Sequence, residues 1–204
     1  METRQLLIEV ESVRFEKDKI QQIRESNNGK LVLPVQLQRA DALNANNRVY
    51  PKQVLMREVE KYQQLISARN SVGELDHPDQ ATVSLQNVSH VITEAKWEGN
   101  NLMGKVEVLD TPMGMILQNL VEAGVLIGVS SRAVGSTVRN AKGYDEVGED
   151  LQIICWDVVS TPSTPGSWFM TEGKQFIDPK VDKYLRFLAS AQNYVQRYNE
   201  TVLR

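Results

Sequence analysis

The chain has 204 residues, 41% hydrophobic and 24% charged, which is the composition of a folded globular domain and not of a disordered segment. A formal net charge of −3 provides no general attraction to polyanions, so we expect no nucleic-acid partner. The single cysteine excludes an intrachain disulfide. With no apolar run near the roughly 18 residues of a membrane span and no signal-peptide pattern, we expect a cytoplasmic protein without a membrane partner.

The first third of the chain predicts two strands followed by a helix. Residues 5–15 and 30–40 have the composition and partial alternation of strands, and the polar stretch between them, 18–30, ends in a turn. A helix is predicted over 51–67, where apolar residues recur at helical spacing. Pro51 suits its first turn.

A hairpin and a short helix are predicted next. Two strands, 87–97 and 101–109, are separated by the turn sequence EGNN. The following helix, 111–124, has Thr111 as a plausible N-cap and Gly124 as a plausible stop.

The last third predicts two apolar strands and a terminal helix. The strands are 125–138 and 151–160, and the helix, 180–204, carries an apolar stripe. That stripe would pack on the rest of the fold or dock a second copy or a scaffold protein. Many strands with about three helices indicate a single α+β domain, 1–204, built on an antiparallel sheet or barrel.

The strand at 125–138 presents its two serines on opposite faces. Ser131 shares a small, apolar face with Val129, which indicates the core. Ser130 shares the other face with Arg132 and with a glycine that permits close approach of another segment. We expect that second face to be open, although a bulge would exchange the two serines.

Two histidines are available for any serine-based chemistry. His77 lies in the loop sequence GELDHPD, whereas His90 lies inside a predicted strand and has the place of a structural residue. The neighbouring acids Glu74, Asp76 and Asp79 also suggest a metal site, but one histidine among them lacks a recognised ligand spacing, so we expect no metal and no cofactor.

A carboxylate lies inside the apolar strand 151–160. Burying the Asp157 carboxylate in such a strand costs free energy unless the carboxylate is paired. Its partner is either an imidazole, as in a Ser–His–acid triad, or an arginine. Cys155 shares its face, so a cysteine–histidine hydrolase is a further reading, although a buried cysteine usually behaves as a small hydrophobic residue.

Several motifs, taken in order, resemble the prohead core proteases of tailed bacteriophages of the myovirus type. The matching motifs are NANNRVYP, GELDHP, VLDTPMGMILQNLVEAG, GVSSRAVGS and DVVSTPSTPGS, within residues 40–168. More distantly, such enzymes are similar to herpesvirus assemblins, which share a β-barrel surrounded by helices and a serine nucleophile. The resemblance therefore implies that fold.

The same resemblance implies the site residues. It places a catalytic triad on His77, Ser130 and Asp157, with Ser131 as the alternative nucleophile. Backbone amides around Arg132 and Ala133 would form the oxyanion hole, assisted by the guanidinium.

The resemblance also implies the substrates and the place of action. These are scaffold or core proteins, capsid proteins and the chain itself, cleaved after Glu in Leu/Ile-x-Glu motifs inside the prohead, in the host bacterial cytoplasm, by a homo-oligomer. Such motifs occur in the chain at 7–9 and 92–94. Arg132, Arg48, Arg139 and Lys142 are the candidate readers of the glutamate. The alternative is a non-enzymatic head-assembly or scaffold-binding protein on the same fold.

Overall fold

The structure is a computed structural model that describes residues 17–78, 80–164, 166–167 and 169. The helices are α1 (Lys17–Ser26), α2 (Lys52–Ser67) and α3 (Pro112–Glu122), and the strands are β1 (Val32–Arg39), β2 (Arg48–Val49), β3 (Val72–Glu74), β4 (Val88–Glu98), β5 (Asn101–Val108), β6 (Gly128–Val134), β7 (Thr137–Arg139), β8 (Asp145–Val147) and β9 (Gln152–Val159).

The described strands form three sheets. The largest has the order β1-β5-β4-β3, the second has the order β2-β8-β7, and β6 pairs with β9 alone. All neighbouring strands are antiparallel except β2 and β8, which are parallel. The fold is therefore a mixed α/β fold built mainly on antiparallel sheets.

The expected closed β-barrel is not found among the described strands. The strand pairing that joins the four-stranded sheet to other described segments consists of single bridges, between Leu75 and Val158 of β9 and between Val35 and Phe169 after β9. Because one residue pair does not make a ladder, the sheets enclose the core together without closing into a continuous barrel. No helix in the described part of the chain is both long and apolar enough to span a bilayer.

Several predicted elements are confirmed with small differences at their ends. They are the strand at 30–40, the helix at 51–67, the hairpin at 87–109 and the helix at 111–124. The N-cap of the last helix is also confirmed, because the Thr111 hydroxyl accepts a hydrogen bond of 3.0 Å from the Gly114 amide.

Two predicted segments differ from the structure. The polar stretch 18–30 forms helix α1 through Ser26, since Ile20 and Ile23 lie on one helical face and are buried in the core. The strand predicted at 125–138 divides instead between two sheets. It ends as β6 at Val134, and the chain continues after Ser136 as β7. The strand predicted at 5–15 and the helix predicted at 180–204 lie outside the described residues.

Strand β9 runs through the centre of the molecule. Trp156 is fully buried, donates from Nε1 to the carbonyl of Leu37 at 3.0 Å, and meets the ring of Tyr62 edge to face at 4.7 Å between centroids. β9 also pairs with β6 and contacts β3. Residues Cys155–Val159 of β9 are all buried, which fixes the direction of Asp157 among packed neighbours.

Candidate active site

Register places Ser130 beside Asp157. In the β6–β9 ladder Ser130 lies directly opposite Asp157, and Ser131 lies opposite Trp156. Opposed residues of an antiparallel pair point to the same face, so Ser130 shares the face of the Asp157 carboxylate and Ser131 shares that of Trp156, where it is half-buried and not enclosed in the core as predicted. The register shifts only after Arg132, beyond both serines, so the alternation predicted for them is kept.

The face that carries Ser130 is covered, whereas the sequence predicted an open one. Ser130 is 6% exposed, and its Oγ lies 3.5 Å from Oγ of Ser163. The segment after β9 folds back here, with the Ser167 carbonyl accepting from the Val129 amide at 2.8 Å. A side chain at Gly128 would meet that carbonyl at 2.0 Å, so the close approach predicted for this glycine is confirmed.

The loop that carries His77 is turned toward β9 by its own backbone. Asp76 has a left-handed φ of 64°, and its amide donates to the Val158 carbonyl at 2.8 Å. His77 then reaches the carboxylate, with Nδ1 2.7 Å from Oδ2 of Asp157. Because a carboxylate accepts, Nδ1 carries the hydrogen and Nε2 remains available as a proton acceptor. Within the described residues His77 and Ser130 share no hydrogen bond.

Asp157 is completely buried and fully engaged. Its Oδ1 accepts from the Glu74 amide at 3.0 Å and from Nη2 of Arg132 at 3.1 Å, while Nε of Arg132 lies 2.9 Å from Oδ2. Burial by itself would raise the pKa of Asp157, but the hydrogen bonds from His77 and Glu74 and the charge of Arg132 hold it below its ordinary value. The imidazole and the arginine, predicted as alternative partners, both bind the same carboxylate.

The geometry does not fit the expectation that Arg132 reads a substrate acid or assists an oxyanion. Its side chain is only 8% exposed, and Nη2 donates to Glu74 at 2.9 Å in addition to Asp157. Nη1 donates to the Gln80 carbonyl at 2.7 Å. All three nitrogens of the guanidinium therefore bind partners inside the protein. Ala133 is half-buried just beyond the register shift.

Arg48 begins strand β2 and is not part of this cluster, but the loop before β2 is hydrogen-bonded to the segment that covers Ser130. The side chain is exposed, and within the described residues its guanidinium makes no ion pair. In the same loop the Ala45 amide donates at 2.9 Å to the carbonyl of Ser163, the residue whose hydroxyl approaches Ser130. By contrast, Arg139 is paired with Asp145 at 3.1 Å.

Glu74 is the residue of this site that the sequence analysis assigned differently. It was considered only as a metal ligand in a loop, but it ends strand β3, is 1% exposed and binds Arg132. Among the described residues no three His, Cys, Asp or Glu side chains are grouped as a metal ion would require. An arginine on the same face as Ser130 was the available signal, because a buried guanidinium needs carboxylates around it.

The remaining nucleophile and histidine are both buried and neutral. Burial and the nearby Asp157 charge raise the pKa of the Cys155 thiol to about 12, which argues against the cysteine–histidine reading because the thiolate is the reactive form. His90 is fully buried, donates from Nε2 to the Trp156 carbonyl at 2.9 Å and accepts from Ser89 at 2.8 Å. That environment is structural.

An imidazole on a buried carboxylate, with a serine opposite that carboxylate, is an arrangement that the chemistry of serine hydrolases uses. Residues 19–175 match the family of prohead core protein serine proteases, and the chain belongs to that family. It is 34% identical over 133 residues to the prohead core protein protease of Enterobacteria phage T4, a match that covers 63% of this chain and 63% of the relative. The chain thus spans less than two thirds of that curated relative.

A solved structure is also similar. The bacteriophage T4 capsid assembly protease, gp21, superposes with a TM-score of 0.61 at 30% identity, covering 64% of this chain and 82% of that one. The fold and the family therefore agree.

Proposed function

We propose that this chain is a serine endopeptidase of prohead maturation in which Ser130 is the nucleophile, His77 the general base and Asp157 the residue that orients it. The observation that carries the proposal is the 2.7 Å hydrogen bond from His77 Nδ1 to Asp157, made directly opposite Ser130 on the neighbouring strand. This bond fixes the tautomer in which Nε2 can accept a proton.

In the proposed mechanism Ser130 Oγ attacks the carbonyl carbon of the scissile peptide while His77 Nε2 takes the hydroxyl proton. Asp157 stabilises the imidazolium, which then gives its proton to the leaving amine. Water hydrolyses the acyl-enzyme by the same steps in reverse order. Backbone amides near Arg132 and Ala133 would bind the oxyanion. Catalytic hydrogen bonds often tighten only when substrate is bound, which accommodates the missing bond between His77 and Ser130.

We further propose that the substrates are scaffold or core proteins and capsid proteins, cleaved after glutamate inside the prohead. The family and the names of the phage T4 relatives support this substrate class. The chain itself remains a proposed substrate. Its motif at 92–94 lies within β4, where Ile92 and Glu94 pair with β5 on either side of a register shift, and that pairing would protect the backbone from cleavage. The motif at 7–9 lies outside the described residues.

Labelling with a fluorophosphonate, followed by peptide mapping, tests the nucleophile. The parent chain is expected to be labelled on Ser130, Ser130→Ala to lose both labelling and peptidase activity, and His77→Ala to lose at least about a thousandfold in kcat. Ser131→Ala is the matched control, one residue away and on the opposite face of β6, and should retain activity.

Two results would overturn the proposal. Labelling of Ser131 with an active Ser130→Ala variant would exchange the two serines. A folded parent chain that is neither labelled nor active on any Leu-x-Glu peptide would favour the non-enzymatic head-assembly reading.

A further inference from the structure

Two buried carboxylates share one guanidinium beside the candidate site. Arg132 contacts Glu74 at 2.9 Å and Asp157 at 2.9 and 3.1 Å, and the three side chains are 8%, 1% and 0% exposed. With both acids ionised, this cluster carries one net negative charge. A protonated His77, hydrogen-bonded to Asp157, would balance it.

We propose that Glu74 is a positioning residue of this site, which acts through Arg132 to orient the Asp157 carboxylate and to keep one unbalanced negative charge facing His77. The proposal rests on the proposed function for its catalytic meaning. Its physical content, a charge relation between Glu74 and His77, stands on the contacts themselves.

Glu74 orients the Asp157 carboxylate through two contacts, one direct and one through Arg132. Its backbone amide donates to Oδ1 of Asp157 at 3.0 Å, and its carboxylate binds the Arg132 nitrogen that donates to the same oxygen. With Oδ1 held from two sides, Oδ2 is left facing His77. Rotation of the buried carboxylate would break these bonds, which is costly away from water.

Glu74 also anchors the loop that follows His77. Its carboxylate accepts from the Ser84 amide at 2.8 Å and from Nδ2 of Asn87 at 3.3 Å. An effect of Glu74 on activity could therefore come from its charge or from the loop, and a test has to separate the two.

Few other charges reach this cluster. The remaining titratable side chains around it in the described part of the chain are Cys155 on β9, Tyr62 on α2, His90 on β4 and Asp76 beside His77. Burial keeps the first three uncharged at neutral pH, because it raises the pKa of Cys155 to about 12 and that of Tyr62 far above its ordinary value, and lowers the pKa of His90 to about 4. Asp76 is exposed and screened by water.

NMR titration of the imidazole protons in the full chain carrying Ser130→Ala tests the charge relation without turnover. The chain has two histidines, and comparison with a His90→Gln variant identifies which signal belongs to His77. Adding Glu74→Gln removes one negative charge at nearly constant shape, so the His77 midpoint should move to lower pH by about one unit. Asn87→Ala is the matched control, because it loosens the loop anchor and keeps the charge, and it should leave the midpoint in place.

A charge-restoring variant keeps the test decisive. Glu74→Gln with Arg132→Gln again leaves one negative charge, so its midpoint should return toward that of the parent. If Glu74→Gln alone does not fold, Arg132→Gln and the double variant still differ only by the Glu74 charge, and the midpoint should be higher in Arg132→Gln. In the chain that keeps Ser130, Glu74→Gln should lower kcat about tenfold with little change in KM. It should also move the acidic limb of the pH profile of kcat to lower pH.

An unchanged His77 midpoint in folded Glu74→Gln would overturn the proposal, as would an equal movement in Asn87→Ala, which would assign the effect to the loop. These outcomes are separate from failure of the proposed function. An active Ser130→Ala variant would end the triad assignment, while the titration would still report whether Glu74 sets the charge at His77.

Discussion

Arg48 presents a cation to solvent beside the segment that covers Ser130. The sequence analysis offered four basic residues as readers of a substrate glutamate, and the structure separates them by their partners. Arg132 is buried on two carboxylates and Arg139 is paired with Asp145. Arg48 and Lys142 are both exposed, and neither makes an ion pair within the described residues. At the residue scale, the buried guanidinium of Arg132 is already bound to internal carboxylates. Of the two unpaired residues, only Arg48 has the planar fork that matches a carboxylate, so Arg48 is our candidate.

The glutamate preference can be tested with a pair of peptides. We expect purified enzyme to cleave a Leu-x-Glu peptide at least about tenfold faster, in kcat/KM, than its Leu-x-Gln counterpart, because a desolvated carboxylate requires a charged, forked donor. Arg48→Gln should narrow that ratio, and Arg139→Gln, an equally exposed control, should not. Equal cleavage of both peptides by the parent chain would rule out an acid-reading pocket.

At the scale of elements, the described sheets are joined by a few specific contacts and not by a closed barrel. The four-stranded sheet meets β9 through one bridge and through hydrogen bonds of Trp156. The Trp156 indole donates to Leu37 of β1, and the Trp156 carbonyl accepts from Nε2 of His90 on β4. A side chain at Gly73 of β3 would collide with this imidazole, since a Cβ there would lie 2.4 Å from Nε2. A neutral histidine, a glycine and the centre of β9 are thus packed as one unit.

This packing predicts a pH dependence of stability. Burial lowers the pKa of His90 from 6.5 to about 4, against the Trp156 hydrogen bond and the Asp157 charge. The unfolded chain binds a proton below about pH 6.5 that the folded chain does not take up until about pH 4. Unfolding therefore gains a proton in this window, and the free energy of unfolding should fall by up to about 3 kcal/mol as the pH drops through it.

Urea unfolding between pH 7 and 4.5 measures this effect, with His90→Gln as the control. Glutamine can donate to Trp156 and accept from Ser89 but cannot be protonated, so the variant should lose the His90 part of the fall. Both proteins keep His77 and all carboxylates, so the difference between their curves isolates His90. Parallel curves would contradict the prediction.

At the scale of the whole molecule, the described residues form a large apolar core, a smaller apolar cluster that includes Tyr50 and Leu55, and one candidate site. The homo-oligomer and the terminal helix at 180–204 stay predictions. Residues of that segment at helical spacing form an apolar stripe, and an apolar stripe needs a packing partner.

Deleting residues 180–204 tests both together. If the stripe docks a second copy, the truncated chain should lose mass in solution to that of a monomer and lose activity with it, as measured by light scattering and peptide cleavage. A full-length chain with polar substitutions confined to the stripe is the control for truncation itself. An unchanged oligomer with unchanged activity would refute the docking role.

Periodicity and local chemistry determined much of this protein from sequence alone. Helical spacing predicted α2, the N-cap threonine predicted the start of α3, and period-two alternation put Ser130 and Ser131 on opposite faces. These signals are local, because each depends on residues within one or two turns or along one strand. The family resemblance, carried by short motifs, was confirmed as well.

Only the tertiary structure decided which side chains meet. Contacts between elements distant in the chain decide three features: the described strands do not close into a barrel, the Ser130 face is covered, and Arg132 binds Glu74 and Asp157 instead of facing substrate. Sequence identifies a charged residue but not its partner, and the cost of burying a charge depends on that partner. From the sequence, Arg132 was predicted to bind the substrate glutamate from an open strand. In the structure it is buried and holds two carboxylates in place.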